Sequence, residues 1–229
     1  MKRGLVLVEG QTEERFVNEC LAPYLLDKGL ILERPTIVAT KRVAGGPSFK
    51  GGISSYGQVQ RDLQPLLHDG HASVITTVLD YYALPKDFPG MHSRLAGSPR
   101  SRVEHVEAAW AAAVADRRFV PHLALHEFEA WVYADRSKLE PFMFDDDPGV
   151  IEAIARIAAG HPTPEDIDDG PMTAPSKRLR DVFAAYQKPL HGPLAVVAIG
   201  IDRIRAVCPH FHHWLTRVET LASADAGAR

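Results

Sequence analysis

Cysteine is scarce: Cys20 and Cys208 are the two in 229 residues. That is too few for a disulfide framework, and a reducing cytoplasm is the simplest assignment. Long apolar runs are missing as well. No stretch reaches the roughly 20 residues that a membrane-spanning helix needs. The apolar run behind Lys2 and Arg3 is too short for the core of a signal peptide, and Glu9 interrupts it. There is no excess of positive charge, since 26 Lys and Arg against 29 Asp and Glu leave a net charge of −3. This balance argues against a protein that coats nucleic acid by bulk electrostatics and leaves room for local basic patches. Internal repeats and low-complexity tracts are absent too. What remains is an ordinary globular composition, 45% hydrophobic and 24% charged, long enough for one sizeable domain or a domain with an appendage.

Glycine is also sparse at one decisive place. The first apolar run, Leu5 to Val8, ends on Glu9, Gly10, Gln11 and Thr12, where a phosphate-binding strand-to-helix turn would be glycine-rich. Branched aliphatics bounded by a glycine predict a buried strand, and Thr12 followed by Glu13 and Glu14 predicts the start of a helix. Glu9 therefore stands at a strand's carboxyl end, the edge at which open α/β sheets bind ligands. A bare phosphate there would be repelled by ~4 kcal/mol per pair of unit charges at ~4 Å and an effective dielectric of about 20. A phosphate ligand at Glu9 thus requires a divalent cation between the two.

The strand-to-carboxylate ending recurs along the chain. A stripe of Phe16, Val17, Cys20, Leu21, Tyr24 and Leu25 predicts a helix over Thr12 to Lys28, closed by Gly29. β-branched residues predict a strand over Thr36 to Val43, and Ser55 with Gln58 forms a capping-box pattern for a helix to His68. Val74 to Leu79 predicts a strand that ends on Asp80. Tyr81 to Arg100 carries three prolines and two glycines and reads as a lid or binding loop. Ser101 and Glu104 suggest the next helix start, and Phe119 to Leu125 predicts a strand running into His126, Glu127, Phe128 and Glu129. Beyond Asp135 only helical stretches follow, near Val150 to Ala158, Lys177 to Tyr186, Pro193 to Val207 and His210 to Leu221. The alternation predicts an α/β fold, a Rossmann-like sheet of about four mainly parallel strands flanked by helices. Residues 1–135 form this core, and residues 136–229 form a helical extension packed on it.

Parallel strands would bring Glu9, Asp80, and Glu127 with Glu129 to one sheet edge. Converging carboxylates need a cation, and oxygen ligands suit a hard ion such as Mg2+ or Mn2+. On an extended segment Glu127 and Glu129 share a face; in a helix they diverge by ~200° and only one, by preference Glu127, points inward. Ser176, Lys177 and Arg178, after Pro175, form a candidate phosphate clamp at a helix N-terminus. Lys41, Lys50, Arg94, Arg100 and Arg102 are candidates for guiding a nucleic-acid backbone. His126 is placed to hydrogen-bond beside Glu127, and Tyr82, with Tyr81, either stacks a base or packs. Zinc is less favoured. His122, His126, His210, His212 and His213 are available with Cys208 nearby, but Cys208, His210 and His212 lie too close together to close a structural site without distant ligands. Cys-x2-Cys pairs are also absent.

Several motifs occur together in order: Val8-Glu9-Gly10-Gln11-Thr12-Glu13, Leu79-Asp80-Tyr81-Tyr82-Ala83-Leu84-Pro85 with Phe88-Pro89-Gly90, His126-Glu127-Phe128-Glu129-Ala130-Trp131, Ala174-Pro175-Ser176-Lys177-Arg178-Leu179, and Cys208-Pro209-His210-Phe211. As a set spanning nearly the whole chain, this resembles the signature of the family known as domain of unknown function 4276. That family is regarded as related to Toprim domains, including those of the overcoming-lysogenization-defect nucleases. The resemblance implies a four-stranded parallel sheet, a glutamate after strand one acting as general acid or base, and aspartates after strand three holding Mg2+. Glu9 and Asp80 match these two positions. It also implies phosphodiester cleavage, a nucleic-acid partner, and an ATPase partner in bacterial defence. Toprim domains place a second aspartate two residues after the first, where this chain has Tyr82. Either Glu127, Glu129 or Asp87 then completes the site, or the chain is a non-catalytic subunit that docks on an ATPase or another protein. Hydrolysis of a small nucleotide is a third reading.

Overall fold

The computed structural model describes residues 1–39, 52–82, 84–93, 96–143, 149–167, 170 and 172–224. Strand β1 (Lys2–Val8) is buried over its last five residues. Such burial on both faces is what a branched aliphatic run in the middle of a parallel sheet produces. It pairs with β2 (Leu30–Leu32) and β3 (Thr36–Ile37) on one side and with β4 (Val74–Asp80) on the other. β4 in turn pairs with β5 (Phe119–Val120) and β6 (Leu123–Ala124). Every pairing is parallel, and the order is β2-β1-β4-β5, with β3 beside β1 and β6 beside β4. The carboxyl ends of β1, β4 and β6 therefore share one edge, as the sequence pattern predicts.

Alternate residues of the central strands serve two cores, as the two-residue period of a strand requires. Val6, Val8, Val74 and Val78 pack with Phe16, Trp131, Phe211, Trp214 and Leu215. Leu5, Leu7, Ile75 and Leu79 pack with Leu63, Val103 and Trp110 on the other face. The first face carries α1 (Gln11–Phe16) and α2 (Ala22–Asp27), joined by a π turn at Val17–Leu21, together with C-terminal helices; the second carries α3 (Tyr56–His68) and α4 (Pro99–Val114). The C-terminal helices are α5 (Val150–Ala159), α6 (Pro175–Val182), α7 (Lys188–Ile199), α8 (Ile201–Val207) and α9 (Pro209–Ser223). No helix among the described residues is long and apolar enough to cross a membrane.

Several local expectations are corrected. β2 is an element that the sequence pattern does not signal. The strand expected at Thr36 to Val43 is Thr36–Ile37 as far as the described residues reach. Ser55 precedes α3 but makes no side-chain cap. Gln58 instead accepts from Ser54 N and Oγ and donates to the Ala39 carbonyl. The cap comes from far along the chain, with both carboxylate oxygens of Asp87 accepting from Tyr56 N at 3.1 Å. That role removes Asp87 as the substitute metal ligand. α4 starts at Pro99, not Ser101, because Ser98 caps it by accepting from Ser101 N, while Glu104 pairs with Arg100; proline suits a first helical position. The strand expected over Phe119 to Leu125 is interrupted at Pro121, which has no N–H to give to the ladder. Thr77 spans the gap, its Oγ1 accepting from His122 N and donating to the His122 carbonyl. The helix expected over Pro193 to Val207 divides at Gly200, whose φ of 79° suits glycine alone among common residues.

Candidate active site

The sheet's carboxyl edge carries a dense group of acids. Glu9 follows β1 directly, and its Oε2 accepts from Asp80 N at 3.1 Å. Asp80 is the last residue of β4; its Oδ1 accepts from Phe128 N at 2.8 Å. Glu127 is extended, with φ −140° and ψ 160°, and its Oε2 accepts from Ser176 N at 3.1 Å. Glu129 lies two residues on, inside the 3-10 turn Phe128–Ala134, and is fully buried. The choice between extended and helical geometry thus resolves into neither alone. An extended residue leading into a tight turn lets both Glu127 and Glu129 reach Asp80, and single oxygens of the three lie within 4.8 Å of one another.

Two further residues belong to this group, and sequence reasoning missed both roles. Lys188, the first residue of α7, sets its Nζ 2.8 Å from Glu129 Oε2, 3.6 Å from Asp80 Oδ2 and 3.9 Å from Glu127 Oε1. Glu13 is buried in α1, and its Oε2 accepts from Gly10 N at 2.9 Å. The spacing from Gly10 to Glu13 is the signal that would have indicated this local capping contact. Nothing local connects Lys188 with acids found 108, 61 and 59 positions earlier. A pocket of about 280 Å³ opens over Glu9, Asp80, Glu127 and Lys188, with Tyr82, Ile53 and Leu84 also lining it.

The electrostatics follow from crowding in a poorly hydrated place. Burial, then the charge of Asp80, pushes the Glu9 carboxyl up to about 8, against the Asp80 N–H and Lys188. Burial raises Glu129 to about 7 despite Lys188, and raises Asp80 and Glu13 as well. Burial alone would lower Lys188, but Asp80, Glu129 and Glu127 more than offset it and hold the ammonium charged far above its usual range. Among the described residues, Lys188 thus stands within 4 Å of three of these five acids. Lys188 meets Oε2 of Glu129, while Oε1 has no hydrogen-bond partner among the described residues. A cluster of this kind favours a second cation, and its all-oxygen donor set fits a hard divalent ion held chiefly by Asp80, Glu127 and Glu129.

The remaining candidates divide. Tyr82 reaches the pocket. His126 is fully buried, and its carbonyl accepts from Tyr82 N at 2.8 Å. The α6 start expected to clamp a phosphate is committed elsewhere, since Ser176 N serves Glu127, Lys177 points to solvent, and Arg178 Nε donates to the Thr173 carbonyl. Ser176 N, already given to the Glu127 carboxylate, cannot serve a phosphate at the same time. Lys41, Lys50 and Arg94 lie outside the described residues.

Three comparisons bear on kinship. The chain matches the family described as Domain of unknown function (DUF4276) over residues 8–219. No curated protein matches. Among solved structures, the C-terminal region of the Burkholderia pseudomallei OLD protein is similar at 12% identity and a TM-score of 0.48, covering 97% of this chain and 100% of that one.

Proposed function

We propose, starting from the fact that this chain belongs to the DUF4276 family, that it is a metal-dependent phosphodiester hydrolase of the Toprim-like type, acting as a nuclease. The observation that carries this reading is the convergence of Asp80, Glu127 and Glu129 oxygens within 4.8 Å of one another, beside Glu9 at the sheet's carboxyl edge. Asp80, Glu127 and Glu129 would hold Mg2+ or Mn2+. Such an ion, when bound, offsets phosphate charge and makes a bound water more acidic.

The chain's own groups account for the protons and the remaining charge. Glu9 is fixed through Oε2 by Asp80 N, which leaves Oε1 free to take a proton from the attacking water. With its carboxyl pushed up to about 8, it is the deprotonated fraction near neutral pH that accepts this proton, and the protonated group then returns it to the departing sugar oxygen. Water adds to phosphorus as the phosphorus–oxygen bond to that sugar breaks. Lys188 stays charged and sets a fixed positive group where negative charge grows on the phosphoryl oxygens. Tyr82, on the pocket wall, gives a base or sugar an apolar surface. A nucleic-acid substrate and an ATPase partner in bacterial defence belong to the same proposal.

Labelled DNA, RNA and mononucleotides incubated with Mg2+ or Mn2+ test it. Glu9→Gln and Asp80→Asn should each lower turnover on the order of 10²- to 10⁴-fold. Equal cleavage by both variants and the wild type would overturn the reading, and turnover confined to mononucleotides would reassign the substrate. A second reading, a non-catalytic subunit that docks on an ATPase, is favoured by Lys188 already standing among three carboxylates. Calorimetry separates the two, because only the hydrolase requires Mg2+ or Mn2+ binding that Asp80→Asn weakens.

A further inference from the structure

A second group of metal-binding side chains lies apart from the acidic pocket and shares no residue with it. Glu107 comes from α4, His122 from the Pro121 interruption between β5 and β6, and His210 from the first turn of α9. All three are buried. His210 Nε2 is 3.0 Å from Glu107 Oε2, His122 Nδ1 is 3.7 Å from Glu107 Oε1, and one donor atom from each residue lies within 4.8 Å of the others. The His122 separation is too long for a hydrogen bond. It suits two donors that share one ion, since bonds of ~2.0–2.2 Å place tetrahedral ligands roughly 3.3–3.5 Å apart.

The independent observation is the His122 ring itself. It is fully buried, and neither ring nitrogen has a hydrogen-bond partner among the described residues. Aromatic faces enclose it: Trp214 at 4.3 Å and 16°, His210 at 4.8 Å and 26°, and Trp131 at 6.0 Å and 12° between ring centroids and planes. A neutral imidazole always carries a lone pair, and burying it unmet is costly unless something accepts it. The other two donors are fixed in place. Leu123 N donates to Glu107 Oε1 at 2.8 Å. Glu165 accepts from His210 N and Phe211 N, at 2.8 and 2.9 Å, and so anchors the start of α9.

We propose that Glu107, His122 and His210 bind a zinc-type divalent ion that ties α4, the β5–β6 edge and α9 together. Two imidazoles with one carboxylate form a borderline donor set, which selects Zn2+ or Co2+ over the hard ions suited to the acidic pocket. Glu165, buried beside His210, supplies the further negative charge that a dication with one carboxylate ligand calls for. The distant ligands that the Cys208–His212 region lacks in sequence are thus brought to His210 by the fold. This assignment is independent of the proposed hydrolase activity.

Full-length protein stripped with a chelator and titrated with Zn2+ alone against a chromophoric competitor tests the site. About one Zn2+ per chain is expected, with affinity reduced at least 10²-fold in His122→Gln and unchanged in Asp80→Asn. Co2+ added to the wild type should give the intense visible bands of a tetrahedral ion, and X-ray absorption of the zinc form should show two imidazole shells. These wild-type readouts decide the matter even if His122→Gln fails to fold. Substoichiometric Zn2+, full binding by His122→Gln, loss of binding in Asp80→Asn, or a zinc shell without imidazole would each overturn the proposal. A His210–Glu107 ion pair would then account for the cluster.

Discussion

Lys188 is the residue on which the acidic cluster turns. Its ammonium is the counter-charge to fully buried Glu129, and removing one partner of a buried pair leaves the other charge uncompensated. Lys188→Met is therefore expected to lower stability by about 3 kcal/mol in metal-free buffer, read from urea denaturation. Added Mg2+ should recover part of that loss. The same crowding sets a pH dependence. Glu9 at about 8 and Glu129 at about 7, against an ordinary 4.5, keep their protons in the folded chain over a range where the unfolded chain has lost them. Folding therefore binds protons, and stability falls as pH rises from about 4.5 to about 8. The metal-free melting temperature should be lower at pH 8 than at pH 5.5, and Mn2+ should raise it at pH 8. A metal-free melting curve flat across that window would contradict these assignments.

Individual elements are shaped by what they must hold. Gly192 sits inside α7, where an added Cβ would lie 2.8 Å from the Tyr186 hydroxyl and 3.7 Å from Glu129 Oε1. Gly192→Ala gains ~1 kcal/mol of helix preference but overpacks this contact at a cost of ~1–3 kcal/mol. A net loss of stability is expected by thermal melting, because the Tyr186 hydroxyl must give way. The interrupted edge strand makes the converse case. Thr77→Val leaves the His122 N–H and carbonyl without their Thr77 partner in a buried place. Such a loss costs about 1–3 kcal/mol, measurable by chemical denaturation. Local pattern makes the strands and most helices legible here. It fails where a side chain from a remote segment settles the matter, as Asp87 does in capping α3 and Thr77 does in bridging the Pro121 gap.

Across the whole molecule, the parallel sheet turns sequence order into spatial order. Apolar runs bounded by acids fix β1 and β4 and place Glu9 and Asp80 at their ends, because strand burial and chain direction are local properties of the residues concerned. The acids, the α/β alternation and the helical C-terminal half are therefore readable from the chain itself. Only the tertiary structure decides that Glu127 and Glu129 both reach Asp80, since a single bend at the start of a 3-10 turn separates that outcome from one acid pointing in and one pointing away. Only it brings Lys188 to the acids, and Glu107, His122 and His210 to one another. Those meetings depend on how α7 and α9 pack against the sheet. Packing is set by the shapes of two cores assembled from distant segments, and no local period in the sequence records it.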